Sequence, residues 1–263
     1  CSSFSEFLKA GQGKKIDCQE IKADAPAIIA YTGGTTGKAK GVLLSNRAAN
    51  AIAFQYKYAD KVLDFQNGER FLDIIPPFLA YGLFFGVHMA LCTCLEDVLC
   101  PDPAPERLPE LFTKYRPNHL SGGPLHMEAM TKDKKIQRMN LSFAKTVAYG
   151  GDGMNQEWED EMSKFLKSHQ ASYGLMKGYG MTEMAGPVCI SNHKFPVMLP
   201  FFSNNIKILD IDTGEELGYD QEGEICVSGP GMMNDEMLRF YWKLGKGISS
   251  MSEQFGYGMG FYK

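Results

Sequence analysis

No stretch of this chain is long and apolar enough to read as a bilayer span. The longest apolar run, Tyr81 to Leu95, falls short of the ~18 residues required and is interrupted by His88 and Thr93, so it is expected to be a buried helix. Seven cysteines (Cys1, Cys18, Cys92, Cys94, Cys100, Cys189 and Cys226) contain no C-x-x-C pair. Neither a zinc knuckle nor a disulfide framework is therefore expected, and a reducing, cytoplasmic compartment is. There is no excess of basic charge either: the net charge of −4 gives no broad field for nucleic acid or an anionic membrane. No repeat or low-complexity segment appears, and no signal peptide opens a chain whose first residue is Cys1. The expectation is a piece of a longer protein. What is present is 263 residues at 44% hydrophobic, enough to bury a sizeable core.

With no general positive field, an anionic ligand has to be met locally, and one stretch is built for that. Tyr31-Thr32-Gly33-Gly34-Thr35-Thr36-Gly37-Lys38-Ala39-Lys40-Gly41-Val42 combines glycines that turn tightly and expose backbone N–H groups with three hydroxyls and two lysines. That is a phosphate loop. Ala27 to Tyr31 leads into it as a buried strand, and Ser45 or Asn46 is placed to cap a following helix. The spacing G-x-x-x-x-G-K-[ST] does not fit, because Thr32 stands at the first glycine and Ala39 at the Ser/Thr. A glycine-rich strand-to-helix turn without a ligand is the plainer alternative.

Further along, strands and helices alternate. The run Ala48, Ala51, Ile52, Tyr56 and Ala59 recurs at helical spacing to about residue 62, Phe71 to Ile75 is apolar, and Asp97 to Cys100 is a short strand. A proline-rich turn from Pro101 leads to a helix with Leu108, Leu111, Phe112 and Tyr115, and a second helix runs from Leu125 to about Thr131. Ala144 to Tyr149 reads as a strand that stops at Gly150-Gly151-Asp152-Gly153. Asn155 then caps a helix carrying Trp158, Met162, Phe165 and Leu166 on one face. Glycines at a strand's C-terminal end mark where open α/β sheets bind ligands. His119 and His126 have the chemistry of bases but no surrounding carboxylate or nucleophile pattern, so both are expected to be structural. From Val188 to Phe202 the chain reads as irregular, after which Ile206 to Leu209, a turn at Asp212-Thr213-Gly214 and Gly223 to Gly229 form a small β unit.

A second stretch, Gly178-Tyr179-Gly180-Met181-Thr182-Glu183, offers glycines for close approach to a flat base, an aromatic face, a hydroxyl for a phosphate and a hard oxygen for magnesium. Together the two stretches resemble the Y-T-S-G-T-T-G-x-P-K-G and Y-G-x-T-E patterns of the adenylate-forming superfamily, the acyl-CoA synthetases and their kin. Gly33 stands for the family's Ser and Ala39 for its Pro. Phe78 to Gly82 resembles the P-L-F-H-x-x-G segment with Leu79 at the His position, and Gly150 to Gly153 resembles the G-G-A-x-L turn with Asp152 at Ala. Leu79 and Tyr81 either line a pocket or simply pack a helix start.

The resemblance implies an α/β fold: a parallel sheet flanked by helices (residues 23–190), then a small β subdomain (191–231), after a connector (1–22) and before an unplaced tail (232–263). The family's T-G-D pattern and its C-terminal lid domain are absent from these residues. Residues 27–31 and 144–149 are expected in one sheet. The implied reaction is ATP-dependent conversion of a fatty or aromatic carboxylic acid to an acyl-adenylate, then transfer to CoA. A carrier protein is the alternative acceptor, and a nucleotide-binding module without turnover is the rival from another class. ATP, Mg2+ and CoA follow as cofactors. Thr182, Glu183 and Lys40 are the implied catalytic residues, and Glu183 and Thr32 the metal-binding ones. ATP is implied at Thr32, Gly33, Gly34, Thr35, Thr36, Gly37 and Lys40, at Gly150, Gly151 and Asp152, and at Lys177, Gly178, Tyr179, Gly180, Met181 and Thr182. Leu79, Tyr81, Gly82 and Tyr149 are the implied acid pocket.

Overall fold

Short apolar strands that stop at polar or glycine residues build the centre of the molecule. The computed structural model describes residues 3–15, 17, 20–32, 40–59, 63–100, 104–191 and 197–233. In chain order these form α1 (Phe4–Gly11), β1 (Pro26–Tyr31), β2 (Gly41–Ser45), α2 (Asn46–Tyr58), β3 (Arg70–Asp73), a π-helical segment (Tyr81–His88) running into α3 (Met89–Cys92), and β4 (Glu96–Leu99). Then come α4 (Leu108–Tyr115), β5 (His119–Gly122), α5 (Pro124–Lys132), β6 (Thr146–Tyr149), α6 (Gln156–Ser168), β7 (Leu175–Met181), β8 (Gly186–Ile190), β9 (Leu199–Pro200), β10 (Asn205–Leu209) and β11 (Glu224–Ser228).

The main sheet has the order β4-β3-β5-β6-β7-β8-β9. It is mixed: β4 to β7 pair in parallel, and β8 and β9 add antiparallel strands at one edge. Successive side chains point to opposite faces. Thus Phe71 and Ala148 join one core with Tyr56, Phe84, Phe85 and Met89 from α2, the π-helical segment and α3. Leu72 and Val147 join the other, with Leu108, Phe112, Met127, Met130, Met162 and Leu166 from α4, α5 and α6. Sequence spacing places the helix starts well: Ser45 accepts a hydrogen bond from Ala48 N–H, and Asn155 one from Trp158 N–H.

Three expectations are corrected. Ala27 to Tyr31 does not join the sheet that holds Thr146–Tyr149; β1 pairs antiparallel with β2 in a separate two-stranded ribbon. Fewer than a dozen residues separate the two strands, which suits an antiparallel return and is too short for a parallel crossover. Ile29 and Tyr31 are left on an exposed face, while Val42 and Leu44 of β2 are buried. The run from Tyr81 is not one regular helix: it is π-helical to His88, and α3 ends at Cys92 with Leu91 exposed. The stretch from Val188 is not irregular, because Pro187 to Ile190 are wholly buried and carry β8. A strand buried on both faces loses the alternation by which strands are recognised. β10 and β11 form the expected antiparallel pair beside the main sheet. The Pro101 turn and the tail beyond Met233 lie outside the described residues.

His119 is fully buried with its Nε2 2.8 Å from Glu69, and Lys145 bridges Glu69 and Asp64 at 2.7 and 3.4 Å. This network ties the starts of β5 and β6 together, at the end of the sheet opposite the glycine turns. A structural histidine fits that position. His126 Nδ1 accepts from Gly123 N–H at the start of α5.

Candidate functional site

Parallel strands deliver their C-terminal ends to one side of the sheet, and there β5 runs into Gly122-Gly123 and β6 into Gly150-Gly151. A cavity of about 260 Å³ opens at this edge, lined by Leu79, Ala80, Tyr81, Gly150, Gly151, Gly178, Gly180, Met181, Thr182, Gly186 and Pro187. Three segments far apart in sequence meet in it: the turn after β3, the turn after β6, and the end of β7.

The glycines are there for lack of room. A Cβ on Gly180 would lie 2.6 Å from the Gly186 carbonyl carbon and nearer still to its oxygen and to Pro187 Cα. One on Gly150 would lie 3.0 Å from the Gly178 carbonyl oxygen, and Gly151 has φ +84, a conformation costly for a side chain. Where β7 leaves its parallel partner β6 and turns to pair with β8, the register shifts between Tyr179 and Gly180. Thr182, Glu183 and Met184 follow in a single 3-10 turn.

Tyr81 lies across the cavity. Its hydroxyl is hydrogen-bonded to Ser121 Oγ, at the C-terminal end of β5. Burial pushes the phenol up to about 12, with the Ser121 bond pulling the other way and the charge of Asp73 adding to the rise. Leu79 N–H donates to Pro76 O, starting the helical turn that presents Leu79 and Tyr81. Gly82 does not line the cavity. Its missing side chain lets the helix press on the carbonyl of Ile75, 2.6 Å from where a Cβ would stand.

Tyr149 and Lys177 are also turned elsewhere. Both engage Glu159 of α6: the Tyr149 hydroxyl donates to Oε1, and Lys177 Nζ lies 3.2 and 3.0 Å from the two carboxylate oxygens. Burial, then the bond to Glu159 and its charge, raise the Tyr149 phenol well above the ordinary range. Tyr179 packs against Met184, Val188, Cys189 and Val227, and burial, with Cys189 and Glu183 adding, raises its phenol. Asp152 is exposed beside the Gly151 turn and accepts from Gly153 N–H.

At the phosphate loop, Thr32 and Lys40 close the base. Thr32 N–H donates to Lys40 O at 2.9 Å, and Lys40 N–H donates to Thr32 Oγ1 at 3.2 Å. Gly33, Gly34, Thr35, Thr36 and Gly37 lie outside the described residues. β2, which follows the loop, lies against the Thr182–Met184 turn, so the loop's base and the cavity rim are neighbours. Glu183 is buried within that turn, and its carbonyl accepts from Met233 N–H.

The arrangement suits a nucleotide. Glycines at Gly150, Gly151, Gly178 and Gly180 leave backbone exposed to a flat base, and Thr182 brings a hydroxyl to the same cavity. Among the described residues no group of three or more His, Cys, Asp or Glu could hold an ion. Sequence spacing alone did not single out Ser121, Glu159, Gly186 or Pro187. Ser121 had one available signal, its place at the end of an apolar strand on the ligand side of the sheet.

Among the described residues no helix is long and apolar enough to cross a membrane. Compared with known proteins, residues 3–235 match a family model described as AMP-binding enzyme. The chain is 31% identical over 246 residues to 4-coumarate–CoA ligase CCL1 of Humulus lupulus, covering 89% of this chain and 43% of that protein. It is 28% identical over 248 residues to a long-chain-fatty-acid–CoA ligase of Bacillus subtilis (strain 168), covering 91% and 42%. The chain thus spans less than half the length of the curated relatives it matches. Its fold is similar to part of ATP-bound MatB from Rhodopseudomonas palustris, with a TM-score of 0.74 at 20% identity over 86% of this chain and 44% of that one.

Proposed function

The chain belongs to the family of AMP-binding enzymes, and on that premise we propose that the complete protein activates a carboxylic acid by adenylation. The acid's carboxylate oxygen attacks the α-phosphorus of ATP, the bond to the β-phosphate oxygen breaks and pyrophosphate leaves. A thiol, CoA in this reading, then attacks the acyl carbon and AMP departs. The observation that carries the proposal is the meeting of Leu79–Tyr81, Gly150–Gly151 and Gly178–Thr182 around one cavity, with the base of the phosphate loop alongside.

Each group has a physical task. The loop amides, with Thr32 and Lys40, hold the β- and γ-phosphates, and the Thr182 hydroxyl donates to the α-phosphate as negative charge builds there. Glu183 and Thr32 would hold a magnesium ion, which would supply charge neutralisation for the departing pyrophosphate. Gly150, Gly151 and Asp152 present backbone and one carboxylate to adenine, while Gly178, Gly180 and Met181 let the base lie against β7. Lys177 and Tyr149 act at one remove: through Glu159 they clamp α6 to the strand ends that shape the site. Leu79 and Tyr81 receive the acyl group. Their apolar surface lowers the local dielectric, which strengthens the charge interactions around the α-phosphate.

Acid-dependent exchange of labelled pyrophosphate into ATP tests the proposal on the complete protein, with a panel of acids. Exchange is expected with at least one acid, and Thr182→Ala should lower it by about 10²-fold, the usual cost of one lost transition-state donor. Absence of exchange across the panel would count heavily against adenylation. Thioester formation assayed with CoA and with a carrier protein separates the two acceptors.

A further inference from the structure

Resting on the adenylation reading, we infer that the acid is compact and uncharged beyond its carboxylate, a single ring or short chain rather than a long aliphatic one. We further infer that Tyr81, held in place by Ser121, sets that limit. The cavity's volume of about 260 Å³ lies below the ~300–1,000 Å³ usual for ligand pockets, so little space is left once a nucleotide is seated.

The far wall is not soft. The Tyr81 hydroxyl is 3.3 Å from where a Cβ of Gly150 would stand, and its Cδ1 is 3.9 Å from that of Gly151. The ring therefore bars the way past the glycine turn. Ser121, itself buried on β5, pins the ring through the hydroxyl–hydroxyl bond. Beyond the ring the space is already filled. Phe85 lies 5.6 Å from Tyr81 and 5.0 Å from Tyr56, centroid to centroid, and both Phe85 and Tyr56 are buried. A chain that outgrew the cavity would have to displace packed aromatics.

Charge points the same way. Among the described residues, none of those lining the cavity is Lys, Arg or His. Two acids among the described residues stand behind the wall: Asp73, which pairs with Ser121 in the sheet register, and Asp97, whose charge acts on Asp73. A second carboxylate on the substrate would be desolvated with no counter-charge among the described lining residues, so it is disfavoured.

Calorimetric titration of the complete protein with acyl sulfamoyl adenosines, unreactive mimics of acyl-adenylates, tests this. Butanoyl and benzoyl forms should bind. Dodecanoyl and 3-carboxypropanoyl forms should bind at least roughly tenfold more weakly, since one surplus methylene in a filled pocket costs about 10–200-fold. Tyr81→Ala should narrow the dodecanoyl-to-butanoyl gap by roughly tenfold, Ser121→Ala should narrow it in part, and Ser121→Thr, which keeps the hydroxyl, should restore it. Binding of the butanoyl form by each variant reports that its site is intact; if Tyr81→Ala loses it, the Ser121 variants decide. Equal affinity of wild type for dodecanoyl and butanoyl forms overturns the limit while adenylation stands. No binding by any analogue overturns the adenylation reading and this inference with it.

Discussion

Gly180→Ala should destabilise the protein and weaken nucleotide binding together, because one atom is asked to occupy space held by two backbones. Gly180 sits where β7 and β8 shift register, and its missing Cβ would stand 2.6 Å from the Gly186 carbonyl carbon. Carbon atoms at rest lie ~3.5–4.0 Å apart, so the strands are short of room by about an ångström. No side chain can swing aside to relieve this, since Gly186 and Pro187 meet it with main-chain atoms. Overpacking costs about 1–3 kcal/mol, and a rigid clash on both sides puts this case near 3. The relief available is to part the strands, which moves Gly186 and Pro187, two walls of the cavity. Gly178 is the control: a Cβ there meets nothing nearer than 3.8 Å, so Gly178→Ala should stay within about 0.5 kcal/mol of wild type. Urea unfolding of both variants, read as midpoints at constant slope, and titration with ATP and Mg2+ provide the readouts. A Gly180→Ala protein as stable as wild type would refute the steric argument. Equal losses of stability in both variants would refute the β7–β8 register on which it depends.

Asp73 is raised to about 7 by burial, with Asp97 adding. A raised carboxyl contributes stability fully below its unfolded value near ~3.9 and loses it as pH climbs through the folded value. Asp73→Asn should therefore raise stability more at pH 8 than at pH 5, by on the order of 3 kcal/mol, and an equal effect at both pH values in chemical unfolding would contradict the assignment. His119 is shifted the other way, lowered by burial against the pull of Glu69. Its neutral form supports the fold above an unfolded pKa of ~6.5, and that support is lost as pH falls below it, so His119→Gln should flatten the decline in melting temperature between pH 7 and 5. A wild-type slope in the variant would remove His119 from the titration. Glu159→Ala strands Lys177 and Tyr149; because Lys177 is partly exposed the cost should be about 2 kcal/mol rather than the full penalty of a broken buried pair, and an unchanged urea midpoint would show the pair to be solvent-screened. Glu183→Ala should weaken ATP binding in the presence of Mg2+ and much less in its absence, and equal weakening in both would take Glu183 out of the metal site.

Strand ends punctuated by glycine were legible in the sequence, because a run such as Thr146–Tyr149 followed by Gly150-Gly151 carries both its period and its stop locally. Helix starts at Ser45 and Asn155 were legible for the same reason: a capping side chain reports on its own next three residues. Pairing partners were not. Ala27–Tyr31 reads as a strand whatever it pairs with, and only the folded chain shows that it turns back on Gly41–Ser45 instead of entering the main sheet. The strand at Gly186–Ile190 was hidden because burial on both faces erased its alternation. At the site, Leu79, Tyr81, Gly150, Gly151, Gly178, Gly180, Met181 and Thr182 come together around the cavity, as residues drawn from separate motifs would have to. The turning of Lys177 and Tyr149 toward Glu159 was invisible, since it depends on how α6 lies across strand ends that are distant in sequence.

The proposed adenylation joins an acid's carboxylate oxygen to the α-phosphorus of ATP in this cavity, and the fate of that oxygen tests it. The complete protein would be incubated with ATP, Mg2+, CoA and a compact acid labelled with heavy oxygen in its carboxylate, and the phosphorus-containing products analysed by mass spectrometry. Adenylation followed by thiol attack leaves one labelled oxygen on AMP and none on pyrophosphate. Label recovered in inorganic phosphate with ADP as co-product, the outcome of attack at the γ-phosphorus, would contradict the account.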